Sequence, residues 1–259
     1  MSDDPVVVEY DGPLAVVTLN HPPHNLFDKS VTSGYRDALD RIEADLPRGV
    51  LFRAEGAIVS GGVDVHDFDE LTPAEVAVVF VPLLSITHRV EALPVPTVFA
   101  AHSLCLTAAF ELSLACDIIL ATPSARFGLV ETVVGLTPAM GGTQRIAERA
   151  GPGRARELVM TAELFDAVTL ERWNVVNRVL AEEEFDANAR AFAMRLANGP
   201  TLAHAATKTI VRAFLNGGVV EADAAVPTVA GALFETEDLR AAVTSFLEEG
   251  PGKATYKGR

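Results

Sequence analysis

The sequence predicts a layered α/β protein that ends in a helical region. Short β-branched runs alternate with stretches of helical period over the first half of the chain. Apolar runs such as "PTVFAA" have the composition of a buried strand, and from Pro200 onward no segment reads as a strand.

In chain order, "VVVEYDGPLAVVTLN" is two β-branched runs around Asp11-Gly12-Pro13, a hairpin by composition. Val31, Tyr35, Ala38, Leu39 and Ile42 then recur at helical spacing, and "GVLFRA" is the next strand. Strand, strand, helix, strand is the opening of an α/β layer structure. After the turn "SGGVD" come a helical region from Pro73 to Leu93, the strand "PTVFAA", a helix over 106–116 and the strand "DIILAT". Helices dominate after Gly141. Thr236 is placed to cap the last helix, where Glu237 and Asp238 suit the positive first turn. The nearest thing to a linker is "LANGPT", which divides the chain into a core over 1–198 and a helical region over 199–259.

With 259 residues, 49% hydrophobic and 22% charged, the chain can bury a large core as an ordinary globular protein. Its formal charge of −14 argues against a nucleic-acid partner, because such binders neutralise phosphates with Lys and Arg. The acidic start "MSDDPVVVEY" lacks a basic n-region and a long apolar h-region, so neither a secretory signal nor a transit peptide is expected, and a cytoplasmic location is. No membrane span is expected either: the longest apolar stretch is interrupted by His102, Ser103, Thr107 and Glu111. Cys105 and Cys116 on one helix would lie roughly 16 Å apart, too far for a disulfide, so both read as buried thiols. The histidines show no HExxH spacing and the cysteines no CxxC, so no metal site is expected; GxGxxG and P-loop motifs are also missing.

Against this background two carboxylates stand alone. Glu111 is the only formally charged residue from Ala92 to Cys116, and Glu131 the only one between Phe127 and Gln144. Either alone also fits the solvent edge of an amphipathic element. Brought into one apolar pocket, the two could not both ionise without a large penalty. One would hold its proton at neutral pH while the other acted as a base. Ser60-Gly61-Gly62 ends a strand-like run where paired glycines can expose consecutive N–H groups, or make a plain turn. The start of the helix at Thr107 offers further unpaired N–H donors.

"VSGGVDV" resembles the "FSAGxDL" turn of the crotonase superfamily, and "AAFELSLACDIILAT" resembles its "GGGxELALACDxxxA" segment. "FGLVETVVGLTPAMGGTQRI" is similar to "FGxPExxxGxxPxxGGTxRL", and "RWNVVNRVL" to "WGLVNxVV". The resemblance spans essentially the whole chain and is to the enoyl-CoA hydratase/isomerase family. It implies a crotonase-type spiral of ββα units followed by a C-terminal helical trimerisation region, and a homotrimer or hexamer. It also implies an acyl-coenzyme A thioester as substrate, with no metal or other cofactor. By motif position the oxyanion hole would be the backbone N–H groups of Val63 and Ala108. Gly61, Gly62, Asp64, Thr107 and Gly135 would contact substrate. Glu111 would deprotonate a water and Glu131 would protonate the α-carbon, giving syn hydration of a trans-2-enoyl thioester. An enoyl-CoA isomerase or another acyl-CoA activity is the enzymatic alternative. A non-catalytic acyl-CoA binder or assembly subunit is the alternative of another class. Lys29, Lys253 and Lys257 are candidates for the coenzyme phosphates.

Three departures from the pattern matter. Thr107-Ala108-Ala109 replaces three glycines, which keeps the N–H donors but narrows the channel beside the thioester. His102-Ser103 replaces Asn-Gly, and adjacent side chains on an extended segment point apart, so a Ser–His pair is not expected. Asn174 replaces a glycine, and Asn tolerates the left-handed conformation after a helix. His66 and Asp67 follow the glycine turn closely enough to touch an acyl group.

Overall fold

In the computed structural model, which describes residues 4–68 and 71–259, the expected hairpin forms from β1 (Val6–Asp11) and β2 (Leu14–Leu19), which pair antiparallel across Gly12. Gly12 has φ +55°, a left-handed conformation that glycine adopts without strain. Next come α1 (Lys29–Ala44), β3 (Gly49–Ala54), α2 (Pro73–Ala92), β4 (Thr97–Ala101), β5 (Cys105–Leu106), α3 (Thr107–Ala115) and β6 (Ile118–Ala121). The remaining elements are β7 (Arg126–Gly128), α4 (Gly142–Ala150), α5 (Pro152–Thr161), β8 (Phe165–Asp166), α6 (Ala167–Arg172), β9 (Arg178–Val179), α7 (Phe185–Ala197), α8 (Thr201–Gly231) and α9 (Glu237–Glu249).

The strands make a six-stranded sheet of order β1-β2-β3-β4-β6-β9, parallel from β2 onward, and a small sheet of order β5-β7-β8. The apolar runs are continuous because both faces of the large sheet are covered. Period-2 alternation sends Ala15, Val17, Val50, Phe52, Phe99 and Ile119 into the main core with α1, α2 and α3. Leu14, Val16, Leu51, Val98 and Leu120 go to the other face, where Phe185, Ala189, Phe192 and Ala193 of α7 close over them.

α1 buries Val31, Tyr35, Ala38, Leu39 and Ile42, the residues expected from spacing, and starts where the Asp28 carboxylate accepts the Val31 N–H at 2.8 Å. Thr236 caps α9 by accepting from the Leu239 N–H at 3.1 Å, as its sequence position suggests. Asp238 of that first turn is buried and accepts the Lys257 and Gly258 N–H groups, each at 2.7 Å, which fastens the C-terminal tail to α9.

Beyond Pro200 the described residues are helical and then irregular, with no strand. α8 contains a non-helical residue, Gly218, with φ +72°. Thr201–Glu235 is long and apolar enough to cross a membrane by length and composition. Several of its apolar side chains, among them Val211, Phe214, Leu215, Val219 and Val220, are exposed, as are Phe246 and Leu247 of α9.

Candidate active site

Glu111 sits at the centre of α3, a helix whose nine residues are all buried. The helix is held from below by aromatic packing, with the Phe110 and Phe127 ring centroids 5.0 Å apart. Glu111 Oε1 accepts the N–H groups of Met140 and Gly142, each at 2.8 Å. These donors lie just before α4 and at its first residue, and Arg145 of the same helix braces them. Its Nη1 donates to the carbonyls of Met140 and Gly141 at 3.2 Å, while Nε and Nη2 clasp the Glu91 carboxylate at 2.7 and 2.6 Å. Gly142 must be small, since an added Cβ would lie 2.8 Å from Glu111 Cγ.

Glu131 opens a 3-10 turn, Glu131–Val134, that ends at Gly135 with φ +76°. The side chain is buried, and neither carboxylate oxygen has a hydrogen-bond partner among the described residues. An unpartnered buried carboxylate is unusual outside functional sites. Glu111 and Glu131 line the same cavity of about 200 Å³, whose other walls include Leu83, Val130, Val133, Val134, Leu136 and Met140.

The two acids therefore feel each other in a poorly solvated space. Burial pushes the Glu111 carboxyl up to about 7, even though the Gly142 and Met140 N–H groups and the Arg145 charge pull it down. Burial, and then the charge on Glu111, pushes Glu131 up to about 8. At neutral pH the arrangement offers a proton donor and a proton acceptor in one cavity.

Of the other sequence-predicted residues, Gly61, Val63 and Thr107 line this cavity. Gly62, Asp64, Ala108 and Gly135 do not form its wall. Gly62 shapes the turn at φ +103°, and Asp64 accepts from the His66 N–H at 3.1 Å and pairs with its ring at 2.7 Å. Ala108 is fully buried in the first turn of α3, where helix geometry leaves N–H groups without an intrahelical acceptor. The expected row of exposed amides after Ser60 is largely used up inside the protein. The Gly61 N–H donates to the His24 carbonyl at 2.8 Å, the Gly62 N–H to Ser60 Oγ at 3.0 Å, and the Val63 N–H to Thr107 Oγ1 at 3.0 Å.

His102 hydrogen bonds through Nε2 to the Gly56 carbonyl at 3.1 Å, which gives it a structural role away from Ser103. Asn174 has φ +64° just after α6, as its replacement of glycine suggests. Lys29, Lys253 and Lys257 do not line the cavity; Lys257 meets Asp238 through its backbone. The side chain of Asp67 lies outside the described residues. Sequence reasoning missed Arg145 and Glu91, which lie 54 positions apart and meet only in the fold. The segment "GGTQRI" was the available signal, since it puts an arginine about one turn beyond the Glu111 donors.

The chain belongs to the enoyl-CoA hydratase/isomerase family, which it matches over residues 9–259. Among its relatives are a short-chain-enoyl-CoA hydratase of Clostridium acetobutylicum, 28% identical over 94% of this chain and 95% of that one, and a crotonyl-CoA hydratase of Syntrophomonas wolfei, 27% identical over 96% and 97%. Its fold is shared with the crystal structure of enoyl-CoA hydratase subunit I from Geobacillus kaustophilus, with a TM-score of 0.91 at 26% identity and 98% coverage of each chain. The crotonase fold expected from the sequence is thus the fold of the molecule.

Proposed function

We propose that this protein is an enoyl-CoA hydratase that adds water across the double bond of a trans-2-enoyl-coenzyme A. The observation that carries the reading is the pair of carboxyls, Glu111 and Glu131, facing one apolar cavity with proton affinities raised into the neutral range. Glu111, whose carboxylate accepts the Met140 and Gly142 N–H groups that favour its ionised form, is the base. It takes a proton from water as the oxygen bonds to C3, and the C2–C3 electron pair moves onto the thioester oxygen. Glu131, buried with no donor to either carboxylate oxygen among the described residues, holds its proton and is the acid that delivers it to C2 as the enolate collapses. Both line the one cavity, and delivery of the water oxygen and the proton to the same face of the double bond gives syn addition. Proton exchange between the two carboxyls restores the starting state. The chemistry so written needs no metal or redox cofactor, and the acyl-coenzyme A is itself the substrate. The enolate oxygen is held between the turn after Gly62 and the start of α3, where the Ala108 amide is a donor and the Val63 amide is bonded to Thr107 Oγ1.

Subunit assembly belongs to the same reading. The exposed apolar side chains of α8 and α9 form the contact surface between copies of this chain, as a homotrimer or a pair of trimers.

One observation favours a second reading, that of an acyl-CoA binder without turnover: the Thr107 side chain stands in front of the Val63 amide. Incubation with crotonyl-CoA separates the two. Loss of the conjugated enoyl absorbance with formation of 3-hydroxybutyryl-CoA is the expected result. A 3-enoyl product would indicate isomerisation instead, and binding with no product would favour the second reading.

A further inference from the structure

We propose that the Thr107 hydroxyl is itself part of the oxyanion site, accepting the Val63 N–H and donating its own proton to the thioester oxygen. The inference rests on the hydratase reading for the identity of the ligand, but on this chain's own geometry for the contact.

The Val63 amide is fixed from both sides. Phe27 donates its N–H to the Gly62 carbonyl at 2.8 Å, and the Asp64 N–H returns to the Phe27 carbonyl at 3.1 Å. Held this way, Val63 N–H points at Thr107 Oγ1, 3.0 Å away. Gly62 makes room for that hydroxyl, because a Cβ there would lie 2.5 Å from Thr107 Oγ1. Thr107 in turn has φ +43°, a conformation unfavourable for a β-branched residue. Such strain persists only where surroundings over-determine it, and it concentrates at functional positions. Here the backbone just before it is clamped by the Leu106 N–H to the Ser60 carbonyl at 3.2 Å and the Ser60 N–H to the Leu104 carbonyl at 3.0 Å.

A hydroxyl that accepts an N–H still has one proton to give. Thr107 lines the cavity shared with Glu111 and Glu131, which puts its hydroxyl beside a ligand bound there. The amide donating into the hydroxyl polarises it and strengthens the outward bond. The thioester oxygen is then met by a hydroxyl and the α3 first-turn amide of Ala108, one O–H···O length further from Val63 than direct amide contact would place it. The side chain that covers the Val63 amide relays its hydrogen bond toward the substrate.

The test uses Thr107→Ser, Thr107→Val and Thr107→Gly in the full-length protein, with two readouts. The first is the infrared carbonyl stretch of a bound saturated acyl-CoA labelled with carbon-13 at the thioester carbon. The second is the split of kcat from KM with crotonyl-CoA. Valine keeps the branched shape and removes the hydroxyl. It is expected to abolish most of the downshift of the stretch and to lower kcat by roughly 100-fold with little change in KM. Serine is expected to keep the downshift and stay within about threefold of the parent kcat. Glycine uncovers the Val63 amide and is expected to restore a downshift that valine lacks, which separates loss of the donor from loss of fold. A full downshift in Thr107→Val, a lost one in Thr107→Ser, or an unshifted carbonyl on the parent protein overturns the proposal. A shifted carbonyl on a parent protein that does not hydrate any enoyl-CoA would instead sink the hydratase reading and leave this contact standing.

Discussion

Glu131→Gln lowers kcat for hydration by roughly 10²- to 10⁴-fold and makes the protein more stable at alkaline pH. The activity loss follows from replacing the one group that holds a transferable proton beside C2 with an amide that has none to give. The stability gain has a definite sign. The Glu131 carboxyl has a folded-state proton affinity of about 8 against an ordinary 4.5, so its contribution to stability is present below pH 4.5 and is lost as pH rises through about 8. Above that pH the native state holds a buried carboxylate without a hydrogen-bond donor. Glutamine removes the charge but leaves an amide to be satisfied, which offsets part of the gain. The net is on the order of 1–3 kcal/mol at pH 9 and near zero or slightly negative at pH 5. Thermal unfolding of both proteins at the two pH values checks this, and a variant less stable than the parent at pH 9 contradicts it. Function and stability pull in opposite directions at this residue, as expected where an active group is kept poorly solvated.

Glu111→Gln lowers kcat by a similar factor of roughly 10²–10⁴ for a different reason. Its amide oxygen can still accept from Met140 and Gly142, so the segment braced by Arg145 stays in place and the base alone is lost. Because the Glu111 charge is one of the causes that raise Glu131, the substitution lets Glu131 ionise at lower pH than in the parent. The double variant is expected to lose little more activity than either single one, since the two carboxyls act as a unit. Steady-state kinetics on crotonyl-CoA read all three variants. A Glu111→Gln enzyme within about threefold of the parent removes Glu111 from the base role.

Much of this was legible in the chain. The isolation of Glu111 and Glu131 among uncharged neighbours marks both, and the flanking segments resemble one family strongly enough to fix the fold. The period of Val31, Tyr35, Ala38, Leu39 and Ile42 predicts the buried face of α1 residue by residue. Short strands were not legible: β5, β8 and β9 have two residues each and exist only because a neighbouring strand pairs with them. The bidentate Arg145–Glu91 pair joins helices far apart in sequence and leaves no periodic trace. Thr107 is the clearest case. Its residue type argues against positive φ, so neither the strained backbone nor the bond from Val63 could be inferred from composition, although its departure from glycine flagged the position. The exposure of the apolar side chains of α8 was not legible either, because a run of valine and phenylalanine reads the same whether it is buried in its own core or presented to another surface.

The central claim is that two carboxyls in one cavity divide the roles of acid and base near neutral pH. NMR titration of the carbon-13 glutamate side-chain carboxyls, assigned through Glu111→Gln and Glu131→Gln, tests it without relying on turnover. The predicted result is two coupled titrations with apparent midpoints near 7 and 8 that belong to the pair, the second moving down when position 111 is glutamine. Independent titration of both carboxyls near 4.5, unmoved by substitution of the partner, would contradict the account.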